Sequence, residues 1–156
     1  RATGSAVRDS ALTGGRLNVS ATDQGTFTRN VFDAFPLGLS SDSRRNLVRT
    51  NVFRNAATAL GAGETFLPED ANTIEYNLFT GNGHHPSGLV DAQHHVVQGG
   101  IHLSARAALT PPITLRNNVG TGNAGHLIWA PPGTVADDGG NQGPCGPTPN
   151  PALTCW

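Results

Sequence analysis

A short segment with an asparagine in a fixed place recurs along most of this chain. Each copy has an apolar residue, two polar or mixed residues, an asparagine, two apolar residues and then a turn. The clearest copies cover residues 27–32, 48–53 and 74–79. A copy at 115–120 departs only in its last residue, and one at 7–12 carries serine in place of asparagine. A repeat of this kind constrains the architecture of a chain far more than its function.

The spacing of the copies indicates a solenoid. The intervals between successive markers are 20, 21, 26, 41 and 23 residues, and the markers are Ser10, Asn30, Asn51, Asn77, Asn118 and, as a weaker candidate, Asn141. The interval of 41 is close to two units, and we interpret residues 96–101 near its middle as a degenerate copy with Gly99 at the marker. A period of about 20–26 residues with β-branched and aromatic positions is typical of solenoids. Because the consensus of leucine-rich repeats is absent, we predict a parallel β-helix.

In a parallel β-helix, equivalent strands stack about 4.8 Å apart, so each repeat position forms a column. We predict an inward column three residues before the marker, formed by Val7, Phe27, Val48, Ile74 and Leu115. A second inward column, two residues after the marker, holds Phe32, Phe53 and Phe79. The marker asparagines are predicted to take a left-handed turn conformation and to hydrogen-bond along their column. A further apolar strand is predicted after each turn, at residues 37–39, 57–60, 88–90 and 126–129.

Composition narrows the class of protein. With 156 residues, one domain is expected. Lys plus Arg number 10 against 11 Asp plus Glu, which removes the basic excess that a general nucleic-acid binder needs. No apolar run approaches the roughly 18–20 residues of a membrane span. The chain begins with Arg1 and contains no Met, so we expect a processed, secreted product or part of a longer chain.

Both cysteines, Cys145 and Cys155, lie in a terminal segment rich in proline and glycine, where we predict neither helix nor strand. Our interpretation is a disulfide that closes this tail, which favours an oxidising, extracytoplasmic compartment. The alternative is two unpaired thiols on a disordered tail. A structural zinc site needs four ligands, so these two residues alone do not make one.

The repeats and their turns resemble the secreted right-handed parallel β-helix superfamily, the broad pectin-lyase-like group. The resemblance covers residues 5–142 and lies in the N-x-F segments and in turns such as Thr80-Gly81-Asn82-Gly83. The Gly139-Gly140-Asn141 run before a two-cysteine tail is similar to the C-terminal ends of many bacterial secreted β-helix proteins. The resemblance implies an all-β, single-stranded, right-handed parallel β-helix of about six coils over residues 1–142, with 143–156 as a disulfide-tied tail. Membership of such a superfamily confers no activity by itself.

The first coil begins almost at Arg1, with no amphipathic segment ahead of it that would cap the open sheet edges. An uncapped solenoid end is a template for strand addition. We therefore expect further coils or a cap before Arg1, or a partner chain, including a second copy in a larger assembly, that covers this end.

One candidate site is the column two residues before the marker, formed by Arg8, Thr28, Arg49, Glu75 and Arg116, with Arg29 beside it. The resemblance implies that polysaccharide lyases and hydrolases use such a face as a groove, where arginine neutralises a substrate carboxylate. On this hypothesis Glu75, Arg49 and Arg116 are catalytic, and Arg8, Arg29 and Arg49 bind the ligand. Glu75 is then an acid–base group or a Ca²⁺ ligand. The alternative is a solvated face, because a lyase needs several clustered carboxylates and this column has one.

A second candidate site is a histidine cluster. Four of the six histidines lie in one stretch around Asp91, namely His84, His85, His94 and His95. Imidazoles with a carboxylate suit Zn²⁺, Cu²⁺ or a general base near neutral pH. The alternative is a polar turn with exposed histidines. Adjacent residues point to opposite sides of a strand, so at most one of each pair can join a site.

Two weaker features complete the set. The long turn at residues 61–72 carries Glu64, Glu69 and Asp70, where the choice lies between a Ca²⁺ site and a solvated acidic loop. Asn18-Val19-Ser20 fits a glycosylation sequon, which matters only in a host that glycosylates.

These observations support three functional hypotheses. The first is an extracellular or periplasmic structural, adhesive or assembly module that presents a flat sheet face to a polysaccharide or another protein. The second is a carbohydrate-active enzyme, a lyase or hydrolase of acidic polysaccharide, or the C-terminal part of one. The third is a secreted protein that binds metal through its histidine cluster. The first leads because no catalytic pattern stands out from the repeat.

Overall fold

The chain winds through three parallel sheets in turn. The computed structural model describes residues 2–40, 42–62, 71–104, 109–147 and 150–156, and within these ranges every regular element is a β-strand. Nearly all strands are short, and each pairs in parallel with the strand one coil away. This all-β stack fits a parallel β-helix or solenoid. No helix in the described ranges is long and apolar enough to cross a membrane.

Each of the three main sheets collects one strand from each successive coil. The first sheet contains β2 (Ala6–Arg8), β6 (Thr26–Thr28), β9 (Leu47–Arg49), β12 (Thr73–Glu75), β15 (Ile113–Arg116) and β18 (Val135–Asp137). The second contains β3 (Ala11–Thr13), β7 (Val31–Asp33), β10 (Val52–Arg54), β13 (Leu78–Thr80) and β16 (Val119–Thr121). The third contains β4 (Leu17–Ser20), β8 (Leu37–Ser40), β11 (Thr58–Ala62), β14 (Gly99–Leu103), β17 (Ile128–Trp129) and β19 (Cys145–Gly146). A small fourth sheet pairs β1 (Ala2–Thr3) with β5 (Thr22–Asp23).

The predicted inward columns are confirmed. In the first sheet the register aligns Val7, Phe27, Val48, Ile74 and Leu115. In the second, Phe32 and Phe53 stack with ring centroids 4.6 Å apart, and Phe53 and Phe79 with centroids 4.9 Å apart. These rings are fully buried, so each column closes one wall of the core.

The asparagine ladder is also confirmed, and it is buried. Asn51 donates from its backbone N and its side-chain Nδ2 to Asn77 Oδ1, at 2.9 and 3.0 Å. Its Nδ2 also donates to Phe27 O, and its Oδ1 accepts from Asn30. The pattern continues through Asn118 to Asn141. Each asparagine thus satisfies backbone groups that the turn leaves unpaired, as burial requires.

The prediction that the marker asparagines themselves take the left-handed conformation is wrong. The residue before the marker has the positive φ in every coil, between 51° and 57°, at Asp9, Arg29, Thr50, Tyr76 and Asn117. The reason is that a single left-handed residue turns the chain between the first and second sheets. The asparagine that follows can then point inward and reach the next coil.

The interval of 41 residues is one coil and not two, which corrects the degenerate copy proposed at residues 96–101. Asn77 bonds directly to Asn118, and β13 pairs directly with β16. Gly99 begins β14, a strand of the third sheet that pairs with β11. Residues 88–90 form no strand and contribute only the antiparallel bridge between Val90 and Val96. Residues 84–98 are therefore a loop inserted before β14, hereafter the inserted loop.

The tail differs from its prediction in one respect. The disulfide between Cys145 and Cys155 is present. However, Cys145 and Gly146 form β19, which pairs with β17 at the end of the third sheet. Flanking prolines lack the N–H of a central strand but are tolerated at a sheet edge, and here the Pro144 and Gly146 carbonyls accept bonds from the neighbouring strand.

Candidate functional site

The predicted arginine column exists but is occupied by ion pairs. The register places Arg8, Thr28, Arg49, Glu75 and Arg116 side by side on the first sheet. The Glu75 side chain is only 3% exposed, because Arg116 Nε lies 2.5 Å from its Oε2 and Arg49 Nε lies 3.4 Å from its Oε1. The hydrogen bond to Glu75 raises the pKa of Arg116 further. The catalytic role of these three residues stays a prediction, and an enclosed carboxylate gives it little support.

The remaining arginines proposed as ligand contacts also bond to the neighbouring coil. Arg29 forms two hydrogen bonds with the Asp9 carboxylate, at 2.6 and 2.8 Å, which lower the pKa of Asp9. Arg8 donates to Thr26 Oγ1 at 3.1 Å. The Arg49 guanidinium lies over the Tyr76 ring, 5.4 Å from its centroid. These arginines therefore bind neighbouring coils together, although Arg49 and Arg116 share one carboxylate and Arg8 bonds to a hydroxyl.

The histidines of the predicted metal cluster do not converge. His84 Nε2 lies 2.7 Å from Gly122 O, while His85 and His94 are exposed. Only His95 approaches Asp91, with Nδ1 3.6 Å from Oδ1. Within the described ranges, no group of three or more His, Cys, Asp or Glu side chains is arranged to hold a metal ion. The acidic residues Glu64, Glu69 and Asp70 lie outside the described residues.

Asp91 instead forms a buried pair with a histidine that the sequence pattern did not single out. Asp91 Oδ2 lies 3.0 Å from His102 Nε2, and both side chains are almost fully enclosed. Asp91 Oδ1 accepts from the backbone N–H groups of Gln93 and His95, both at 2.9 Å. Burial raises the pKa of Asp91, but the hydrogen bonds from His95, His102 and Gln93 together outweigh it and hold this pKa below its ordinary value. The pair fixes the inserted loop on β14.

Trp129 of β17 extends this cluster along the third sheet. Its ring lies 4.3 Å from His95, 5.2 Å from His126 and 6.2 Å from His102, measured between centroids. Burial lowers the pKa of His126. The neutral imidazole that burial favours suits contact with an indole face.

The outer face of the third sheet contains a groove beside this cluster. Leu37, Leu39, Leu60 and Ala62 point inward, so the residues between them on β8 and β11 face outward. The outward column runs Asn18, Gly38, Gly61, His102, Trp129 and Gly146. A Cβ built on Gly61 meets nothing within 4 Å. Gly61 therefore leaves its part of the floor as bare backbone, whereas a Cβ on Gly38 would lie 2.8 Å from Asn18 Oδ1, so the Asn18 amide lies beside the floor at Gly38.

Polar groups that are free to bind surround this floor. The cavity measures about 210 Å³, and its lining includes Arg16, Asn18, Ser40, Thr58, Leu89 and Val97. Thr58 also lines the cavity, but its Oγ1 is buried, without a hydrogen-bond partner among the described residues, so the accessible polar groups are those of Arg16, Asn18 and Ser40. Arg16 is exposed and makes no ion pair or hydrogen bond within the described part of the chain. Such a site suits a ligand with hydroxyl groups and a negative charge.

Sequence reasoning missed this groove, although a signal was present. Leu37-Gly38-Leu39 and Leu60-Gly61-Ala62 both alternate a core residue, a glycine and a core residue. In a strand this alternation puts the glycine on the outer face, which predicts a close approach of a ligand or another backbone. The arginine column is evident from the sequence as a repeated charge, whereas an outward-facing glycine is evident only from the alternation of the strand.

Comparison of the chain with protein-family models, with curated proteins and with solved structures finds no significant match. The superfamily resemblance thus stays a prediction, and functional conclusions depend on the geometry alone.

Proposed function

We propose that this chain is an extracellular binding module, a right-handed parallel β-helix that takes a glycan chain along the outer face of its third sheet. The observation that carries the proposal is the open backbone floor at Gly61, bordered by the Asn18 amide over Gly38 and by the exposed Arg16. A right-handed path is expected for parallel strands joined by crossovers. The disulfide supports an extracytoplasmic location, because such bonds persist in oxidising compartments.

The shape of the groove favours a sugar ring. A floor without side chains admits a flat, partly apolar ring against the backbone. Leu89 supplies an apolar wall on the inserted loop, while Asn18 and Ser40 supply hydrogen-bonding groups to the ring hydroxyls. Arg16 adds a positive charge that a carboxylated or sulfated unit would neutralise.

The groove favours binding over catalysis. Among the described residues that line it, none carries a carboxylate, the group that glycan hydrolysis requires in pairs. The lyase or hydrolase hypothesis therefore ranks second. The metal-binding hypothesis ranks third, because the histidines contact Gly122, Asp91 and Trp129 in place of one another.

The test is a glycan array printed with neutral and acidic oligosaccharides, followed by calorimetric titration with alginate and dextran tetrasaccharides. Gly61→Leu should fold normally, because Gly61 has no positive φ and open space above it, and should fill the groove. We expect Gly61→Leu to weaken oligosaccharide binding at least about tenfold, or 1.4 kcal/mol. Arg16→Ala should weaken the binding of alginate by the same factor.

Thr114→Leu on the outer face of the first sheet is the matched control, because it adds the same side chain away from the groove. Its affinity should equal that of the wild type. The proposal is wrong if no oligosaccharide on the array binds, or if Gly61→Leu binds as tightly as Thr114→Leu.

A further inference from the structure

The groove ends where the inserted loop begins to cover the same sheet face. The open part of the outward column consists of Asn18, Gly38 and Gly61, on three adjacent strands. The column continues without interruption to His102 and Trp129. At a strand spacing of about 4.8 Å, the open part is about 10 Å long and the whole column about 24 Å. More than half of a continuous binding face therefore lies beneath or beyond the loop.

The inserted loop is attached to the sheet in an unusual way. Its apolar side chains Leu89, Val90 and Val96 are 50–57% exposed, whereas the carboxylate of Asp91 is turned inward. Only Asp91 and Val97 are buried within the loop. The backbone bonds from Asp91, His94 and Val97 all go to other residues of the loop itself. The hydrogen-bonded Asp91–His102 pair thus fixes the centre of the loop to β14, with little apolar burial to help it.

The residues under the loop have the chemistry of a binding surface. His102 offers an imidazole, and Trp129 offers an indole whose Nε1 is buried without a hydrogen-bond partner in the described residues. An aromatic ring with a polar edge suits stacking on a sugar ring together with a hydrogen bond.

We propose that the inserted loop is a lid, latched by the Asp91–His102 pair, over a second half-site in which His102 and Trp129 bind the continuation of the glycan chain. This inference rests on the proposed function. When the latch opens, the floor lengthens from three strands to six, and a longer chain is accommodated. The latch residues act by positioning the lid, and Trp129 and His102 contact the ligand only in the open state.

The lid is tested first without ligand. Trp156 is exposed and is the second of two tryptophans, so Trp156→Phe leaves Trp129 as the sole fluorescent reporter. In this background, Asp91→Ala should raise both the acrylamide quenching of Trp129 and the rate of thermolysin cleavage before Leu89, Val90 or Val96. We expect at least about a tenfold increase in cleavage rate, because cleavage follows the population of the open loop and a buried pair has lost one partner.

His85→Ala is the matched control, because it removes an exposed imidazole from the same loop. It should leave quenching and cleavage unchanged. Asp91→Asn keeps an acceptor for the Gln93 and His95 amides but loses the charge, so it should open less than Asp91→Ala and more than the wild type. If Asp91→Ala proves globally unfolded by circular dichroism, Asp91→Asn decides the question. The lid proposal is wrong if the folded Asp91 variants resist quenching and cleavage as well as the wild type does.

The half-site is tested with alginate oligosaccharides of two lengths. Removing the latch removes the cost of opening, so Asp91→Ala should bind a decasaccharide at least about tenfold tighter than the wild type does. It should bind a tetrasaccharide no tighter than the wild type does, because the open loop moves the Leu89 wall away from the groove. Only the decasaccharide should change Trp129 emission. The half-site proposal is wrong if Asp91→Ala gains the same affinity for both oligosaccharides, or if the decasaccharide leaves Trp129 emission unchanged. Failure of the wild type to bind the tetrasaccharide overturns the proposed function instead.

Discussion

At the scale of single residues, the turn between the first and second sheets divides its tasks between two neighbours. The left-handed residue bends the chain, and the following asparagine links one coil to the next. The sequence pattern showed the asparagine because it is chemically constant. It hid the left-handed position, which is filled by Asp, Arg, Thr, Tyr and Asn and so carries no compositional signal.

The ladder predicts a large effect of a small truncation. Asn51→Ala removes the acceptor of two Asn30 donors and the donor to Phe27 O, all in the buried interior. We expect the free energy of unfolding to fall by about 2–4 kcal/mol, since each unsatisfied buried group costs roughly 1–3 kcal/mol. Urea denaturation measures this. Asn18→Ala, at an exposed asparagine, should change stability by less than about 0.5 kcal/mol, and equal losses in the two variants would contradict the ladder.

The left-handed positions predict a gain. Thr50 has a φ of 54° and is exposed, and a β-branched residue is strained there. Thr50→Gly should raise the free energy of unfolding by about 0.5–1 kcal/mol, because glycine relieves a left-handed strain of roughly 1–2 kcal/mol. Thr28→Gly, in a regular strand of the same coil stack, should lower it by a similar amount. Two shifts of the same sign in thermal denaturation would refute this assignment.

At the scale of elements, a column behaves as a unit, because each of its side chains packs on copies above and below. Phe53 lies between Phe32 and Phe79 and is fully buried. Phe53→Ala should lower stability by about 3–5 kcal/mol. Phe35→Ala, which removes a half-buried ring 6.2 Å from Phe32, should cost clearly less. Urea denaturation of both variants would show whether the stack or mere aromatic content matters.

The inserted loop predicts a pH dependence. Because the pKa of Asp91 is lower in the folded state than its ordinary value of 3.8, its stabilisation is present above that value and is lost as pH falls through the folded pKa. The protection factors of residues 84–98, which compare observed exchange with intrinsic exchange at the same pH, should therefore fall in acid, below about pH 4. Asp91→Asn should exchange faster at neutral pH and should lose this part of the acid response. An unchanged pH profile in that variant would assign the response to other carboxylates.

The repeat predicted the columns, the ladder and the solenoid, because these follow from positions that recur in every coil. The repeat misplaced β14, because one coil with the 15-residue inserted loop has nearly the length of two coils. The groove could have been predicted in part, because Gly38 and Gly61 recur at one position of successive coils. The Asp91–His102 pair could not, because neither residue recurs in another coil and only the fold of the inserted loop on β14 brings the two side chains together.

At the scale of the whole molecule, a solenoid is stabilised by contacts between neighbouring coils, so its ends open first. The tail covers the last strand of the third sheet through β19 and the disulfide. Replacing both cysteines with alanine should lower stability by about 2–3 kcal/mol on chain-entropy grounds. Exchange at Leu127, Ile128 and Ala130 amides should accelerate most, while that at Phe53 stays slow. Uniform acceleration would show that the tail stabilises the entire stack.

The ion pairs between coils contribute more to the alignment of the coils than to the stability of the protein. Exposed pairs contribute only about 0–1 kcal/mol each. Yet in three pairs, Asp9 with Arg29, Asp23 with Arg45 and Asp33 with Arg54, the acid lies on the earlier coil and the base on the next. Glu75 differs, because it pairs with an arginine on each neighbouring coil. In the column of Asp9 and Arg29 the later positions are uncharged, so a coil displaced by one step finds no partner for its charge. The charged residues on the surface therefore specify which coils pair with each other.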